Sequence, residues 1–299
     1  MHRVSFGLRI VLAFTLIGVS TLLHVVPLFM VALVKALLPF SAARRPCNKV
    51  LGAIAESWVG FNNRMIGLVT RTRFIATIDA ELLRDGHYLV LANHQSWVDI
   101  PVMQYVFNRR VPLLRFFLKR ELFWVPLLGL AWWALDFPFM RRYSREQLAR
   151  HPELIGMDIE ATRRACERFR DIPVSMTNFV EGTRFTAHKR AATRSPYRQL
   201  LRPKAGGAAF VIDAMRDGLH AILDVTIVYP GGTPTMLDLF GNRIREVRID
   251  VRQRAIPREF FGGDYQNDAA FRQRFKAWMS AIWQEKDARI EAMLAGERS

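Results

Sequence analysis

The chain has 299 residues, 51% of them hydrophobic and 23% charged, with 43 Lys and Arg against 27 Asp and Glu. Its length allows one sizeable core with extras, and a net charge of +16 points to polyanionic surroundings: an anionic bilayer, phosphorylated substrates or nucleic acid. Only Cys47 and Cys166 are present, which excludes a disulfide framework and a cysteine-based metal site.

From Ile10 to Val34 the chain carries 25 residues without a formal charge. At about 1.5 Å per helical residue this crosses a bilayer, and it is too long for a typical signal peptide. His24 and Pro27 interrupt it, so a helix that dips in and bends back is the other reading. Arg3 and Arg9 precede the segment, while Lys35, Arg44, Arg45 and Lys49 follow it. That asymmetry places the main domain in the cytoplasm. Arg44, Arg45 and Lys49 suit anionic headgroups, and equally a solvated loop beside an anchor. The expected organisation is a membrane anchor with a basic juxtamembrane segment over 1–50, a main domain over 51–262 and an amphipathic helix over 263–299.

Arg73 to Ile78 reads as a strand, and Tyr88 to Ala92 as a second. Ser96 to Phe107 reads as a helix. Leu122 to Met140 holds six aromatics and one charge, Asp136, but Pro126, Gly129 and Pro138 interrupt it. It is expected as a buried or interfacial hairpin, not a second span. Trp132, Trp133, Phe137 and Phe139 fit core packing. A helix is expected over Ile159 to Phe169, a strand over Pro173 to Val180, and a basic loop over His188 to Lys204. A helix over Gly206 to Met215 and a buried strand over Ala221 to Tyr229 follow. Arg245 to Val251 alternates as an edge strand would, and Asp268 to Leu294 is a long helix. Strands alternating with helices give an α/β sandwich, a sheet flanked by helices.

Two short stretches carry the chemistry. In Asn93-His94-Gln95-Ser96-Trp97-Val98-Asp99, an imidazole precedes a carboxylate by five positions. A neutral imidazole can take a proton from a hydroxyl while a carboxylate orients it. Five positions turn a regular helix by about 500°, so the pair meets only if His94 lies on the turn before the helix. The competing reading is a capping box, with Asp99 serving backbone at a helix start. The second stretch, Phe179-Val180-Glu181-Gly182-Thr183-Arg184, also follows a strand. Its glycine permits a tight turn and its arginine can fork onto a phosphate; a strand-end turn with a surface ion pair is the plainer reading. Gly-x-Ser-x-Gly, His-Glu-x-x-His and the P-loop are absent, which removes the main hydrolase, zinc and nucleotide-hydrolysis chemistries.

Together these stretches resemble the glycerolipid acyltransferase family, the lysophospholipid and 1-acylglycerol-3-phosphate acyltransferases. Asn93, His94 and Asp99 match the family's Asn-His-x-x-x-x-Asp motif. Glu181 to Arg184 match its Phe-Pro-Glu-Gly-Thr-Arg motif, with Val180 in place of the proline. Phe139-Met140-Arg141-Arg142 is similar to its aromatic segment ending in arginine. Leu201 to Gly207, with Lys204, resembles its lysine-glycine segment, and Asp224 stands where a strand proline is usual. The two departures are similar to the lysocardiolipin and lysophosphatidylinositol branch. The resemblance covers about residues 70–230. It implies His94 as the base, Asp99 as its partner, and Arg142, Glu181, Gly182, Thr183, Arg184 and Lys204 around the acceptor. It also implies acyl-CoA or acyl carrier protein as donor, a lysophospholipid as acceptor, and no cofactor or metal. The aromatics of the 122–140 stretch would then be candidates for an acyl tunnel. The alternative is a non-enzymatic, membrane-anchored basic protein that binds anionic lipid or nucleic acid. Such a protein has no use for either motif, so nucleic acid is not an expected partner.

Overall fold

The computed structural model describes residues 6–38, 41–140, 150, 169, 172–216 and 218–296. Elements are numbered along these residues. The uncharged N-terminal run forms α1 (Phe6–Leu37), which turns back into α2 (Ser41–Val69). Helix α2 runs through the boundary expected at residue 50, and its Leu51, Ala55, Val59, Ile66 and Val69 are buried at helical spacing. Helix α1 is long and apolar enough to cross a membrane by length and composition. Both of its ends touch the rest of the protein. The Arg243 guanidinium lies 3.8 Å over the Phe6 ring, and Lys35 Nζ pairs with Asp136 at 2.6 Å. Leu8, Leu12, Val19, Leu23, Val26, Met30, Leu33 and Leu37 remain exposed along it.

The main sheet has six strands in the order β1-β8-β7-β2-β6-β3. They are β1 (Arg73–Asp79), β2 (His87–Ala92), β3 (Leu114–Phe116), β6 (Val174–Phe179), β7 (Ala221–Val228) and β8 (Glu246–Arg254). Strands β7, β2, β6 and β3 are mutually parallel, and β8 turns the direction by pairing antiparallel to β7. Tyr88, Val90 and Ala92 of β2 face a core shared with α3 (Asp99–Phe107) and the inner ends of α1 and α2. Leu89 and Leu91 face a second core built with α6 (Gly206–Ala214) and α8 (Ala269–Ala295). Burial on both faces is why Tyr88 to Ala92 of β2 reads as an unbroken apolar run, and β7 is buried throughout as well, with Asp224 and Thr226 interrupting its apolar residues.

Helix α8 supplies Phe271, Phe275, Met279, Ile282, Trp283, Ile290 and Met293 to that second core. The described residues of the expected C-terminal segment, 263–296, therefore contribute to the same core as the sheet. The alternation of β8 is as read, but the strand is internal, not an edge. Its polar face is covered by α8: Arg289 Nη1 meets Asp250 Oδ1 at 2.7 Å, and Arg254 bonds Asp224 and Glu285 at 2.8 and 2.6 Å. The strands that lie on the two edges are β1 and β3.

The aromatic stretch folds into a 3-10 turn at Arg120–Trp124 and α4 (Leu128–Ala134). Two two-residue strands, β4 (Leu118–Lys119) and β5 (Phe139–Met140), pair beside it. Nothing in it is long enough to span a bilayer. Trp124 and Trp133 face outward, while Ala131, Ala134 and Leu135 pack inward. Within the expected basic loop, Ala187–Ala192 forms a short helix, α5, capped by the Thr186 hydroxyl, and α7 (Met236–Phe240) follows β7. The helix expected over Ile159 to Phe169 and the site residue Arg142 lie outside the described residues, apart from Phe169 itself.

Candidate active site

The parallel strands β2 and β6 both end at one edge of the sheet, and each delivers one motif there. Beyond Ala92 the chain leaves β2 and does not enter α3 until Asp99, three residues later than expected. Asn93 holds this turn to β7. Its side-chain amide donates to Ile227 O and accepts from Ile227 N, both at 2.9 Å, so it continues the β2–β7 ladder as a peptide would.

The turn brings His94 Nδ1 to 2.8 Å from Asp99 Oδ2. The same oxygen accepts from the backbone N–H groups of Gln95 at 2.7 Å and Ser96 at 2.9 Å. The dyad and cap readings thus coexist. One carboxylate shapes the turn and grips the ring, although only half a capping box forms, because Ser96 Oγ accepts from Val98 N at 3.0 Å and not from Asp99 N, while its proton goes to Pro234 O. Asp99 Oδ1 accepts from the Tyr229 hydroxyl at 2.6 Å. Asp99 is fully buried, whereas 15% of the His94 side chain remains accessible. A carboxylate only accepts, so Nδ1 carries the proton and Nε2 holds the lone pair. Nε2 has no protein partner among the described residues. The ring stacks on Phe179 with centroids 4.0 Å apart, which fixes its plane.

The second motif closes over the first. Gly182 adopts φ +71°, and a Cβ there would stand 3.1 Å from Lys204 Cδ and Nζ. Only glycine relieves both conditions. Lys204 thus lies against the turn, with its N–H donating to Val180 O at 2.8 Å. The Phe185 N–H donates to His94 O at 2.7 Å, which ties the two motifs together. The Arg184 guanidinium sits 5.0 Å over the Trp97 ring. Thr183 Oγ1 accepts from Lys189 Nζ at 2.7 Å, and this ammonium also donates to Arg184 O at 3.0 Å.

Glu181 is placed differently from the expected acceptor contact. It is 1% exposed, and its two oxygens accept from His94 N at 3.4 Å and Leu201 N at 2.8 Å. It therefore braces the two motifs from beneath. Burial pushes its carboxyl up to about 8, against the pull of those N–H groups and of Lys286. A folded carboxyl pKa above its unfolded value means that folding takes up a proton. This contribution to stability is complete below about 4.5 and is lost as pH rises through about 8. Denaturant titrations from pH 5 to 9 should show stability falling by a few kcal/mol, and Glu181→Gln should flatten that slope.

His94, Asp99, Glu181, Gly182, Thr183, Arg184 and Lys204 are thus brought to one edge of the sheet. Three further residues were not marked by the motifs. Tyr229 is 4% exposed, and burial together with the Asp99 charge holds its phenol well above the usual range, so it stays a donor. Its only signal was a phenol ending an apolar strand, since buried phenols find partners. Lys189 comes to the site because α5 starts directly after its cap, Thr186. Lys286 of α8 is fully buried, with Nζ 2.5 Å from Asp224 Oδ1 and from Val225 O. Burial lowers its pKa, and the Asp224 charge opposes that.

Residues 74–230 match the family model for the Acyltransferase domain. The chain is 29% identical to 1-acyl-sn-glycerol-3-phosphate acyltransferase 3 of Arabidopsis thaliana over 189 residues, covering 58% of this chain and 47% of that one. It is 22% identical to mouse lysocardiolipin acyltransferase 1 over 265 residues, covering 82% and 64%. The chain spans about half to two thirds of the length of these relatives. The crystal structure of the 1-acyl-sn-glycerophosphate (LPA) acyltransferase PlsC from Thermotoga maritima superposes with a TM-score of 0.54 at 15% identity. That likeness covers 95% of this chain and 97% of that one, and it establishes a shared fold. A domain match over more than half the chain, on a sheet with this architecture, makes the chain a member of the Acyltransferase family.

Proposed function

We propose that the protein transfers a fatty acyl group from the thioester of acyl-CoA or acyl carrier protein to a hydroxyl of a lysophospholipid, at the cytoplasmic face of a membrane. One observation carries this reading. A histidine with Nδ1 held by a buried carboxylate presents its Nε2, without a partner among the described residues, beside a turn with Arg184, Lys189 and Lys204. Nε2 accepts the proton of the acceptor hydroxyl as its oxygen attacks the thioester carbonyl, and Asp99 stabilises the imidazolium. The proton then passes to the departing thiolate. No acyl-enzyme forms, and no cofactor or metal is required.

The basic turn suits the acceptor's phosphate. A guanidinium grips phosphate through two parallel N–H bonds, which an ammonium cannot reproduce. Arg184 takes this role, and Arg142 is its proposed partner. Glu181 and Gly182 shape the turn from which Thr183 and Lys189 face the same ligand. Membrane attachment falls to α1, whose apolar outward face runs the length of the helix between two points fixed to the domain.

The test uses the full chain in detergent micelles, with oleoyl-CoA or oleoyl-acyl carrier protein as donor. Lysophosphatidate, lysophosphatidylinositol and lysocardiolipin serve as acceptors. At least one pair should give a diacyl product. In Arg184→Lys the acceptor KM should rise about tenfold or more, while the donor KM stays within about twofold. No transfer with any pair would overturn the assignment. A defect confined to the donor KM would move Arg184 to the donor side.

A further inference from the structure

On the reading that His94 and Asp99 form a general-base pair, we propose that Tyr229 is a positioning residue whose hydroxyl sets the rotation and the basicity of the Asp99 carboxylate. The two Asp99 oxygens are engaged unequally. Oδ2 accepts from His94 Nδ1, Gln95 N and Ser96 N. Oδ1 accepts from Tyr229 alone among the described residues, at 2.6 Å. Without that bond a fully buried oxygen loses its donor, and the carboxylate is free to swing toward other N–H groups of the turn. With it, the carboxylate plane is held at both ends, and Oδ2 stays aimed at the ring.

The phenol itself is anchored. Tyr229 follows β7 directly, two residues after Ile227, whose backbone N–H and C=O are both bound by Asn93. Its ring belongs to the core beneath α3, and its carbonyl accepts from Gly232 N at 3.0 Å. The residue that positions Asp99 is therefore itself tied to the turn that carries His94.

Each donor on a carboxylate disperses its charge. Four donors on Asp99 thus leave it a weaker attractor for the imidazolium than a carboxylate bound only by the ring. The other charged groups around the pair are Glu181, beneath His94 N, Lys286, whose charge acts on Glu181 from α8, and Arg184, Lys189 and Lys204 of the turn beside the ring.

The experiment follows the His94 ring nitrogens by NMR in the full chain in micelles, together with steady-state acyl transfer using the donor and acceptor that the wild-type chain accepts. In Tyr229→Phe the His94 titration midpoint should move up by about 0.5–1 pH unit. kcat should fall about tenfold, with the acceptor KM unchanged. The same displacement should persist in a Glu181→Gln background, which removes the other nearby titration. Difluorotyrosine at position 229, a stronger donor in the same shape, should move the midpoint down, and this arm stands if the phenylalanine variant folds poorly. A midpoint unmoved by both changes, or one that moves only while Glu181 is present, overturns the proposal. Near-normal transfer by His94→Ala would instead overturn the base reading on which the proposal rests.

Discussion

Replacing His94 with alanine should cut acyl transfer by about 10²–10⁴-fold, the usual worth of a positioned general base. The fold should survive, because among the described residues the ring's one polar contact is the Asp99 bond and its remaining role is to stack on Phe179. Asp99→Asn should be nearly as damaging. An amide offers one oxygen where four donors now converge, and its NH₂ would confront an N–H or the phenol. Residues that act as one unit are non-additive, so His94→Ala/Asp99→Asn should be little worse than His94→Ala alone. The measurement is turnover of the purified variants, with helical circular dichroism as the check on folding. Turnover of His94→Ala close to wild type would reduce the stretch to a helix start.

Lys286→Ala should cost about 3–5 kcal/mol of stability, the range for removing one partner of a buried ion pair. The ammonium is fully buried and bonds Asp224, Val225 O and, more weakly, Leu91 O at 3.5 Å. Its loss leaves Asp224 to Arg254 and strips donors from carbonyls of β2 and β7. Replacing both charges by apolar groups, as Lys286→Met with Asp224→Leu, should recover most of the loss, since the penalty lies in the orphaned charge more than in the absent attraction. Chemical denaturation in micelles reads both. A single variant that loses less than about 1 kcal/mol would mean that water reaches this site and the pair is not dry.

The site was legible because its signals are local. A strand end, five positions and a carboxylate define the first motif; glycine at a positive φ defines the second. Strands β2 and β7 were legible for a related reason, since burial on both faces leaves a mostly apolar run, broken in β7 only by Asp224 and Thr226. What stayed hidden depends on distance in the chain. Tyr229 and Asp99 are 130 residues apart, and no pattern around either predicts the bond. Strand β8 shows period-two alternation whether its polar face meets water or the charges of α8. Helix α2 carries helical spacing, but Arg44, Arg45 and Lys49 read equally as a solvated loop beside an anchor. Strands of two or three residues, such as β3 to β5, are shorter than any period that could reveal them. Glu181 was legible as a site residue but not as a brace, because burial is a property of the folded neighbourhood.

The position of α8 has a consequence in time. Helix α1 precedes the whole catalytic sheet in the chain, and α8 follows it, yet Lys286 of α8 lies directly under the strands that end in the His94 turn. A growing chain therefore exposes its apolar helix to a bilayer early. The underside of its catalytic edge is completed only after α8 has been synthesised and has docked. If α1 is the attachment proposed above, attachment comes first and competence last. Until then Asp224 faces an open hydrophobic surface without its lysine, and the turn that aims the imidazole has no floor. On the proposed function, an unfinished chain can thus occupy the membrane surface without consuming thioester there, and the order of the sequence itself sets the delay.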